Sequence, residues 1–361
     1  MKSLAAASIE HVIGMDLGDV ASALCVLEPG VEDPVERGQV PMEPQAMRQL
    51  LEGMPRSLVV MEAGGQSPWV SRLATQLGHE VLVANPRQLA LITKSDRKSD
   101  RTDAETLARL ARADRSLLRP VRHRDERQQR HLEVLRARDA LVRARTLLVN
   151  HVRGALKGFG VRVNSASVES FPQALREQAP RELRVLLAPM ATSIASLSRQ
   201  IAAYDHRVNQ LCRKEHPETQ RLQQVVGVGP VTSLAFVLTI ADPGRFRRNR
   251  QVGAYLGLRP RRDQSGACDR QLGIAKSGNP LLRRLLVQCA HHILGPFGPD
   301  TNLRRFGLAM KERGGGNAKK RAVVAVARRL AVLLLHLWRT NATYQPLHGQ
   351  PPAPPTTARA S

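Results

Sequence analysis

The chain has 361 residues, of which 42% are hydrophobic, so roughly two or three domains with apolar cores are expected. Its net charge of +24 predicts a polyanionic partner, and the 3% aromatic content argues against single-strand recognition by rows of stacked rings. The four scattered cysteines lack a C-x-x-C spacing, which argues against zinc and fits a reducing cytoplasm. No signal peptide is evident, and the most apolar run is too short for a bilayer, so no membrane partner is expected.

Residues 1–118 alternate between apolar strands and amphipathic helices. Strands are predicted over 8–18, 20–27, 36–40, 57–62 and 80–84. Helices are predicted over 43–53, 66–77 and 101–115, and another helical stretch opens at Pro86. An antiparallel meander followed by αβ units describes the ribonuclease H-like fold, in which the first and fourth strands lie side by side.

Four acidic residues are placed to converge in such a fold. Asp16 ends the first strand and Glu62 ends the fourth, while Asp100 and Asp103 share one face of the following helix. A two-metal centre, with ions roughly 4 Å apart, needs such a cluster, and oxygen ligands favour Mg²⁺ or Mn²⁺. Alternatively, Asp100 is only an N-cap, with Asp103 and Glu105 complementing the helix dipole. Asp19, in a hairpin turn, and Asp96 are expected to be uninvolved.

Short motifs around these acids are the most specific feature of the first domain. They are Gly14-Met-Asp16-Leu-Gly18, Val60-Met-Glu62-Ala, Asn85-Pro-Arg, and Lys98-Ser-Asp100-Arg-Thr-Asp103-Ala-Glu. They resemble the RuvC-like domain of the DEDD transposases of insertion sequence family one-ten, IS110. The resemblance implies that Asp16, Glu62, Asp100 and Asp103 are catalytic metal ligands.

Residues 119–216 predict a helical, coiled-coil-like domain. One heptad-like stripe comprises Val134, Ala137, Leu141, Ala144, Leu148, Val152 and Ala155. A second comprises Leu183, Leu187, Met190, Ile194, Leu197, Ile201, Tyr204, Val208 and Leu211. Pro189 predicts a kink or a new helix start in the second stripe. An antiparallel hairpin of helices roughly 40 Å long, intramolecular or dimerising, and ordinary core helices are both open.

A third domain, 217–342, begins with a Gly-x-Gly between two predicted helices. Gly227 and Gly229 fit a helix-hairpin-helix whose backbone N–H groups approach a phosphate, although a tight turn explains them equally. Arg247 and Arg248 then form a basic cluster suited to backbone phosphates. Helices are predicted over 281–294 and 318–339 with a Gly314 hinge between them, and 343–361 is a proline-rich, disordered tail.

Between these helices lies a distinctive string of motifs. It reads Tyr255-x-Gly-Leu-x-Pro, Gln264-Ser-Gly and Lys276-Ser-Gly-Asn-Pro-Leu-Leu-Arg. It resembles the C-terminal transposase domain of the same family, and the resemblance implies that Ser265, in a loop, is the nucleophile. Alternatively, Ser265 is a turn residue beside Gly266. Ser277 and Tyr255 are rival nucleophiles, although Tyr255 sits in an apolar context and is expected to pack.

Basic side chains near these motifs are the candidate nucleic-acid contacts. No histidine lies near Ser265 in sequence, so activation by the carboxylate-held metal is expected. Arg261, Arg262, Arg270 and Lys276 are suited to neutralising charge that develops on a phosphate. Lys98 and Arg101, in the acidic motif, are expected to contact nucleic acid as well.

The resemblance implies a recombinase that moves its own insertion sequence. It would cleave and rejoin donor and target DNA through a phosphoserine, as a homo-oligomer (a dimer or a dimer of dimers). The family uses a structured guide RNA, which the positive charge of this chain permits but does not indicate. Two alternatives remain open: a metal-dependent junction nuclease that uses water, and a non-catalytic nucleic-acid-binding protein.

Overall fold

The computed structural model describes residues 9–86, 99–164, 167–265 and 268–347. Predictions that concern Asp96, Lys98, the segment after Pro86, Gly266 and most of the tail lie outside these residues. The chain divides into two compact units, Met1–Asp125 and Glu126–Ser361. No helix in the described part is both long enough and apolar enough to cross a bilayer.

The first unit contains a five-stranded mixed sheet in the order β3-β2-β1-β4-β5. Its strands are β1 His11–Leu17, β2 Ala21–Leu27, β3 Glu36–Pro41, β4 Ser57–Glu62 and β5 Glu80–Ala84. Strands β1, β2 and β3 form an antiparallel meander, whereas β4 runs parallel to both β1 and β5. The predicted adjacency of the first and fourth strands is therefore confirmed.

Helices cover both faces of this sheet. They are α1 Pro44–Glu52, α2 Ser67–Gln76 and α3 Asp100–Ala113. Helices α1 and α2 pack on the face that carries Ile13, Met15 and Met61. Helix α3 covers the opposite face, where its alanines meet small residues of β2 and the leucine and valine side chains of β4. Burial on both faces explains why β4 is continuously apolar.

The described part of the second unit is helical apart from one β-hairpin. Its helices are α4 Glu126–Gly158, α5 Phe171–Gln178, α6 Arg181–Lys214, α7 Glu218–Leu222, α8 Pro230–Ile240, α9 Gln251–Tyr255, α10 Pro280–Leu294, α11 Asn302–Glu312 and α12 Ala318–Thr340. Helix α8 lies at the centre of the core, and all its residues from Thr232 to Ile240 are buried. Helices α10 and α12 pack into the same core.

Helices α4 and α6 form an antiparallel pair within the chain. This is the intramolecular form of the predicted antiparallel hairpin. His131 pairs with His216, Arg138 with Asp205, and Arg145 with Ser198, so sequence numbers rise along α4 as they fall along α6. With 33 and 34 residues, each helix runs about 50 Å, longer than expected. Helix α6 continues through Pro189, so the new helix start predicted there is wrong.

The predicted stripe on α6 is confirmed, and the one on α4 is confirmed in part, since Val134, Leu148 and Ala155 only flank the buried clusters. Of the predicted α4 positions, Val152 is buried whereas Ala144 is exposed. The buried α4 positions are Leu132, Leu135, Val149, Val152 and Leu156. Arg138 and Arg145 continue their three-and-four spacing and bond to Asp205, Glu169 and Ser198. Two arginines therefore occupy positions on the face of α4 that meets α6, where the sequence pattern predicted only apolar residues.

Two further elements differ from the sequence-based expectation. The segment predicted as the Ser265 loop is an antiparallel hairpin of β6 Pro260–Ser265 and β7 Cys268–Ile274. Residues 261–265 are all polar, so neither an apolar run nor an alternating pattern marks β6 as a strand, which explains the omission. Helix α11 also lies between the two predicted C-terminal helices, so Gly314 separates α11 from α12.

Candidate active site

The first candidate site lies at the carboxyl ends of β1 and β4. These strands are paired in parallel, with Met15 opposite Met61, so Asp16 and Glu62 end neighbouring strands at the same edge. Ile13 and Met15 face α1 and α2, and side chains alternate along a strand. Asp16 and Glu62 therefore belong to the face that α3 covers, and both are half-buried.

Gly14 allows α3 to approach this edge. A Cβ at Gly14 would lie 2.0 Å from the carbonyl oxygen of Ala104 and 2.8 Å from the amide nitrogen of Ala108. Any side chain there would hold the helix away from β1. The glycine of the Gly-Met-Asp motif thus lets the first turn of α3, with Asp100 and Asp103, come near Asp16.

The first turn of α3 excludes the purely structural interpretation of Asp100 as an N-cap. Ser99 is the N-cap residue, and its hydroxyl accepts a hydrogen bond from the amide of Thr102 at 3.2 Å. Glu105 has a structural partner set, because its carboxylate bonds to Arg37 at 2.9 Å and to Arg109 at 2.8 Å. These cations hold the pKa of Glu105 below its ordinary value despite partial burial.

Electrostatics couple the four predicted acids. The pKa of Asp16 rises from 3.8 to about 6, first because of burial and then because of the negative charges of Asp100, Asp103 and Glu62. A cavity of about 500 Å³ opens beside Asp16 and Glu62 and is also lined by Asp19. Asp19, expected to be uninvolved, is exposed in its turn and faces the same cavity. Because a solvated Asp is common in a turn, nothing in the sequence indicated that Asp19 lines this cavity.

The acids lie near one another but do not form a preassembled metal site. Within the described ranges, no three His, Cys, Asp or Glu side chains are gathered tightly enough to hold a metal ion. The donor set nevertheless suits a hard divalent cation, because it offers carboxylate oxygens that raise the pKa of Asp16 by mutual repulsion. A cation among them would relieve that repulsion.

The second candidate site is the β6–β7 hairpin. Ser265 is the last residue of β6 and pairs with Cys268, so it stands at the turn end of the hairpin. Tyr255 packs as expected: its ring meets Phe246 edge-to-face at 5.6 Å and lies under the Arg245 guanidinium at 4.7 Å. The hydroxyl of Ser277 donates a hydrogen bond to the carbonyl of Ala254 at 3.5 Å.

Glycines of the distinctive motifs interlock the base of this hairpin. Gly257 and Gly278 both have positive φ, at +68° and +75°. A Cβ on Gly257 would lie 2.3 Å from the backbone of Ser277, and one on Gly278 would lie 2.1 Å from the carbonyl oxygen of Tyr255. Arg283 donates to the carbonyls of Leu256 and Ser277 at 3.1 and 2.7 Å. These motif residues support the hairpin rather than face a substrate.

Most predicted nucleic-acid contacts lie on the surface. The exposed ones are Arg101, Arg247, Arg248, Arg261, Arg262, Arg270 and Lys276. Gly227 faces α10 instead, where a Cβ would lie 3.1 Å from the His292 ring, and its φ of +82° also favours glycine. Gly229 precedes α8 with open space around it. Packing therefore explains Gly227, and only Gly229 is open to a ligand.

Two family models match the chain. One, described as a transposase model, covers residues 13–160, and the other, described as the IS116/IS110/IS902 transposase family, covers residues 219–302. A transposase for insertion sequence element IS1111A of Coxiella burnetii is 33% identical, over 80% of this chain and 79% of the relative.

Other relatives point the same way. A transposase for insertion sequence element IS1328 of Yersinia enterocolitica is 32% identical over 68% of this chain and 73% of the relative. A pilin gene-inverting protein of Moraxella bovis is 27% identical over 47% of this chain and 53% of its own length. Matches to both halves, with acids at a sheet edge and a serine on a hairpin, place the chain in the IS110 family of DEDD transposases.

Proposed function

We propose that this transposase cleaves and rejoins DNA strands through a phosphoserine on Ser265, with a divalent cation held by Asp16, Glu62, Asp100 and Asp103. The observation that carries the proposal is the placement of Asp16 and Glu62 at the adjacent ends of β1 and β4, where helix α3 lies directly on Gly14. The pKa of Asp16 is raised by burial and by the three other carboxylates, which agrees with this placement. The strand order of the first unit, with its antiparallel meander and parallel extension, supports a ribonuclease H-like, RuvC-like domain.

The four carboxylates would hold Mg²⁺ or Mn²⁺ at the edge of the sheet. Such an ion supplies Lewis-acid stabilisation of phosphate oxygens and lowers the pKa of a bound hydroxyl. The chain itself supplies the orientation, since β1 and β4 fix Asp16 and Glu62, and Gly14 sets the height of α3 above them. Asp19, on the wall of the same cavity, would order water around the site.

Ser265 would be the nucleophile toward a DNA phosphodiester. Its Oγ would lose a proton and form a bond to phosphorus, while the bond from phosphorus to one deoxyribose oxygen breaks and that oxygen takes up a proton. Rejoining reverses these steps with a different deoxyribose hydroxyl, so the phosphodiester bond energy is conserved and no nucleotide triphosphate is needed. Arg261, Arg262 and Arg270, on the same hairpin, would offset negative charge on the phosphate.

The substrates and partners follow from charge and family. A net charge of +24 suits donor and target DNA and also a guide RNA encoded by the element. A homo-oligomer, a dimer or a dimer of dimers, would let the acids of one copy act with the serine of another. Val185 and Leu186 support self-association, because they are 71% and 67% exposed on α6.

The proposal is tested with purified full-length protein, Mg²⁺, guide RNA and matched DNA on a denaturing gel. Ser265→Ala should abolish the covalent protein–DNA adduct, and Asp16→Asn should reduce cleavage by about 10³-fold or more. Ser277→Ala is the matched control and should leave adduct formation unchanged. Cleavage without an adduct in the Ser265→Ala protein would instead support a nuclease that uses water.

A further inference from the structure

The second unit contains a large groove that has no role in the function proposed above. It has a volume of about 1340 Å³ and lies between the base of the β6–β7 hairpin, helices α11 and α12, and the segment around Tyr344. Its described lining carries a row of cationic side chains: Arg250, Arg313, Lys320, Arg321, Arg328 and Arg329. No described lining residue is acidic.

The positive charge of this groove is not compensated by the protein. In the part of the chain that the structure describes, none of the six cations forms an ion pair with a carboxylate. Arg321 donates to the carbonyl of Gly314 at 2.8 Å, which orients it without neutralising it. Like charges facing one cavity repel each other, so an anionic ligand is favoured there.

The floor of the groove has a different character from its rim. It is formed by apolar side chains, among them Leu258, Ile274, Phe306, Val332 and Leu333. The guanidinium of Arg329 lies over the Phe306 ring, 3.4 Å from its centroid. An apolar floor with one planar guanidinium stacked on it and a cationic rim matches a nucleotide, whose base has planar faces and whose phosphate is anionic.

The nature of the floor favours a single strand over a duplex. In a duplex the bases are stacked inside, so no base face is free to rest on the Arg329 guanidinium above Phe306, whereas an unpaired base can stack on such a guanidinium. The low aromatic content of the chain excludes rows of stacked bases but permits one such platform. The groove therefore suits a strand with at least one unstacked base.

The groove adjoins the base of the β6–β7 hairpin. Pro260 and Ile274, paired at the base of the hairpin, line the groove, and Ser265 ends the same strand as Pro260. Five residue steps along β6 span about 16 Å. Stacked nucleotides advance about 3.4 Å each, so this distance corresponds to about five nucleotides of one strand.

We propose that this groove binds a single-stranded DNA segment that flanks the phosphodiester attacked by Ser265, with phosphates against Lys320 and Arg328 and a base on the exposed Arg329 guanidinium, which Phe306 supports from below. The role beside Ser265 rests on the proposed function. Binding of an unpaired strand does not, because it depends only on the charge and the apolar floor of the groove.

Fluorescence polarisation with full-length protein tests the groove, using a single-stranded DNA of about 12 nucleotides, within the usual span of such sites. The groove variant carries Lys320→Gln and Arg328→Gln. The control variant carries Lys311→Gln on α11 and Lys319→Gln on α12. Both lysines are exposed, and neither lines the groove. Net charge changes equally in both.

The groove variant should bind this DNA about tenfold more weakly, and its slope of log K against log salt should fall by about 1.4, since each lost contact to a single strand removes about 0.7. The control variant should bind nearly as the wild type. Equal losses in both variants, or an unchanged slope in the groove variant, would overturn the proposal.

Two further arms identify the ligand. A duplex of the same sequence should bind both variants alike, and an RNA of the same sequence should lose less affinity than the DNA. A loss confined to RNA would assign the groove to RNA and overturn the DNA proposal. Ser265→Ala should keep full binding, so failure of the phosphoserine chemistry is distinguished from failure of the groove.

Phe306 provides an independent test of base stacking. Phe306→Leu removes the ring on which the Arg329 guanidinium lies but keeps an apolar side chain, and it should weaken single-strand binding about fivefold or more. Phe306→Tyr retains the ring and should restore binding, which separates stacking from loss of packing against the core. Equal affinities for the Leu and Tyr variants would contradict a base on this floor.

Discussion

The two candidate sites are built in opposite ways. The acidic site draws Asp16 from β1, Glu62 from β4 and two acids from α3, so it exists only when the sheet and its covering helix assemble. The serine hairpin is nearly contiguous, and its base is held by Gly257 and Gly278 within the same short segment. The first site depends on long-range packing, and the second depends on local backbone geometry.

The glycines of the two sites have different structural roles. Gly14 has no positive φ, and its small size matters because a helix lies on it. Gly278 is required by both its φ and a neighbouring carbonyl. A substitution of Gly14 should therefore damage the acidic site alone, and a substitution of Gly278 should damage the serine hairpin alone. These two substitutions are the strongest test of whether the sites are independent.

Gly14→Ala should produce the largest effect. A Cβ 2.0 Å from the Ala104 carbonyl forces α3 away from β1, which should destabilise the first unit by about 3 kcal/mol. Displacement of Asp100 and Asp103 should also lower DNA cleavage by about 10²-fold. Thermal unfolding and cleavage assays measure both. Gly38→Ala is the control, because its nearest neighbour would lie at an ordinary 3.8 Å.

Gly278→Ala should have the next largest effect, confined to the second unit. Its positive φ and the clash with Tyr255 should destabilise the hairpin base by about 2 kcal/mol. Adduct formation should fall, while the stabilisation of the protein by Mg²⁺, measured calorimetrically, should persist. Gly154→Ala, on α4 with open space around it, serves as the control. Loss of the Mg²⁺ effect would contradict independent sites.

The titration of Asp16 gives the acidic site a pH signature. Its folded-state pKa of about 6 exceeds the ordinary 3.8, so the folded chain binds this proton more tightly and loses stability as pH rises through about 6. Asp16→Asn should therefore raise the Tm of metal-free protein by roughly 2–4 °C at pH 8 and hardly at pH 4. Asp33→Asn, an exposed acid of the same unit, should show no such difference.

The second unit should respond to pH in the opposite direction, with a smaller effect. His131 is buried between His216 at 2.9 Å and Glu215 at 3.1 Å, and burial, with positive charge from Arg127 and Arg207, lowers its pKa. Stability from this group is complete above about 6.5 and falls as pH drops through its lowered pKa.

His131→Gln should accordingly reduce the difference in Tm between pH 8 and pH 5, by roughly 1–2 °C. His151→Gln, exposed on the same helix, is the matched control and should leave that difference unchanged. A wild-type Tm that rises on acidification because of His131 would contradict the lowered pKa.

Local patterns determined a large part of this protein from the sequence. Continuous apolar runs predicted β4 and β5, and the order of the elements predicted that Asp16 lies beside Glu62. The family that the motifs predicted is also confirmed, because motifs are contiguous and can be recognised without tertiary structure. The helical stripe of α6 followed from its regular spacing.

Tertiary structure alone decided the rest. Arg138 and Arg145 occupy the α4 seam because partners on other segments satisfy them, and no local pattern reveals those partners. Asp19 joins the acidic cavity, and six cations meet over one apolar floor, only because distant segments fold together. Charge and burial at these positions depend on neighbours remote in sequence, and periodicity carries no information about them.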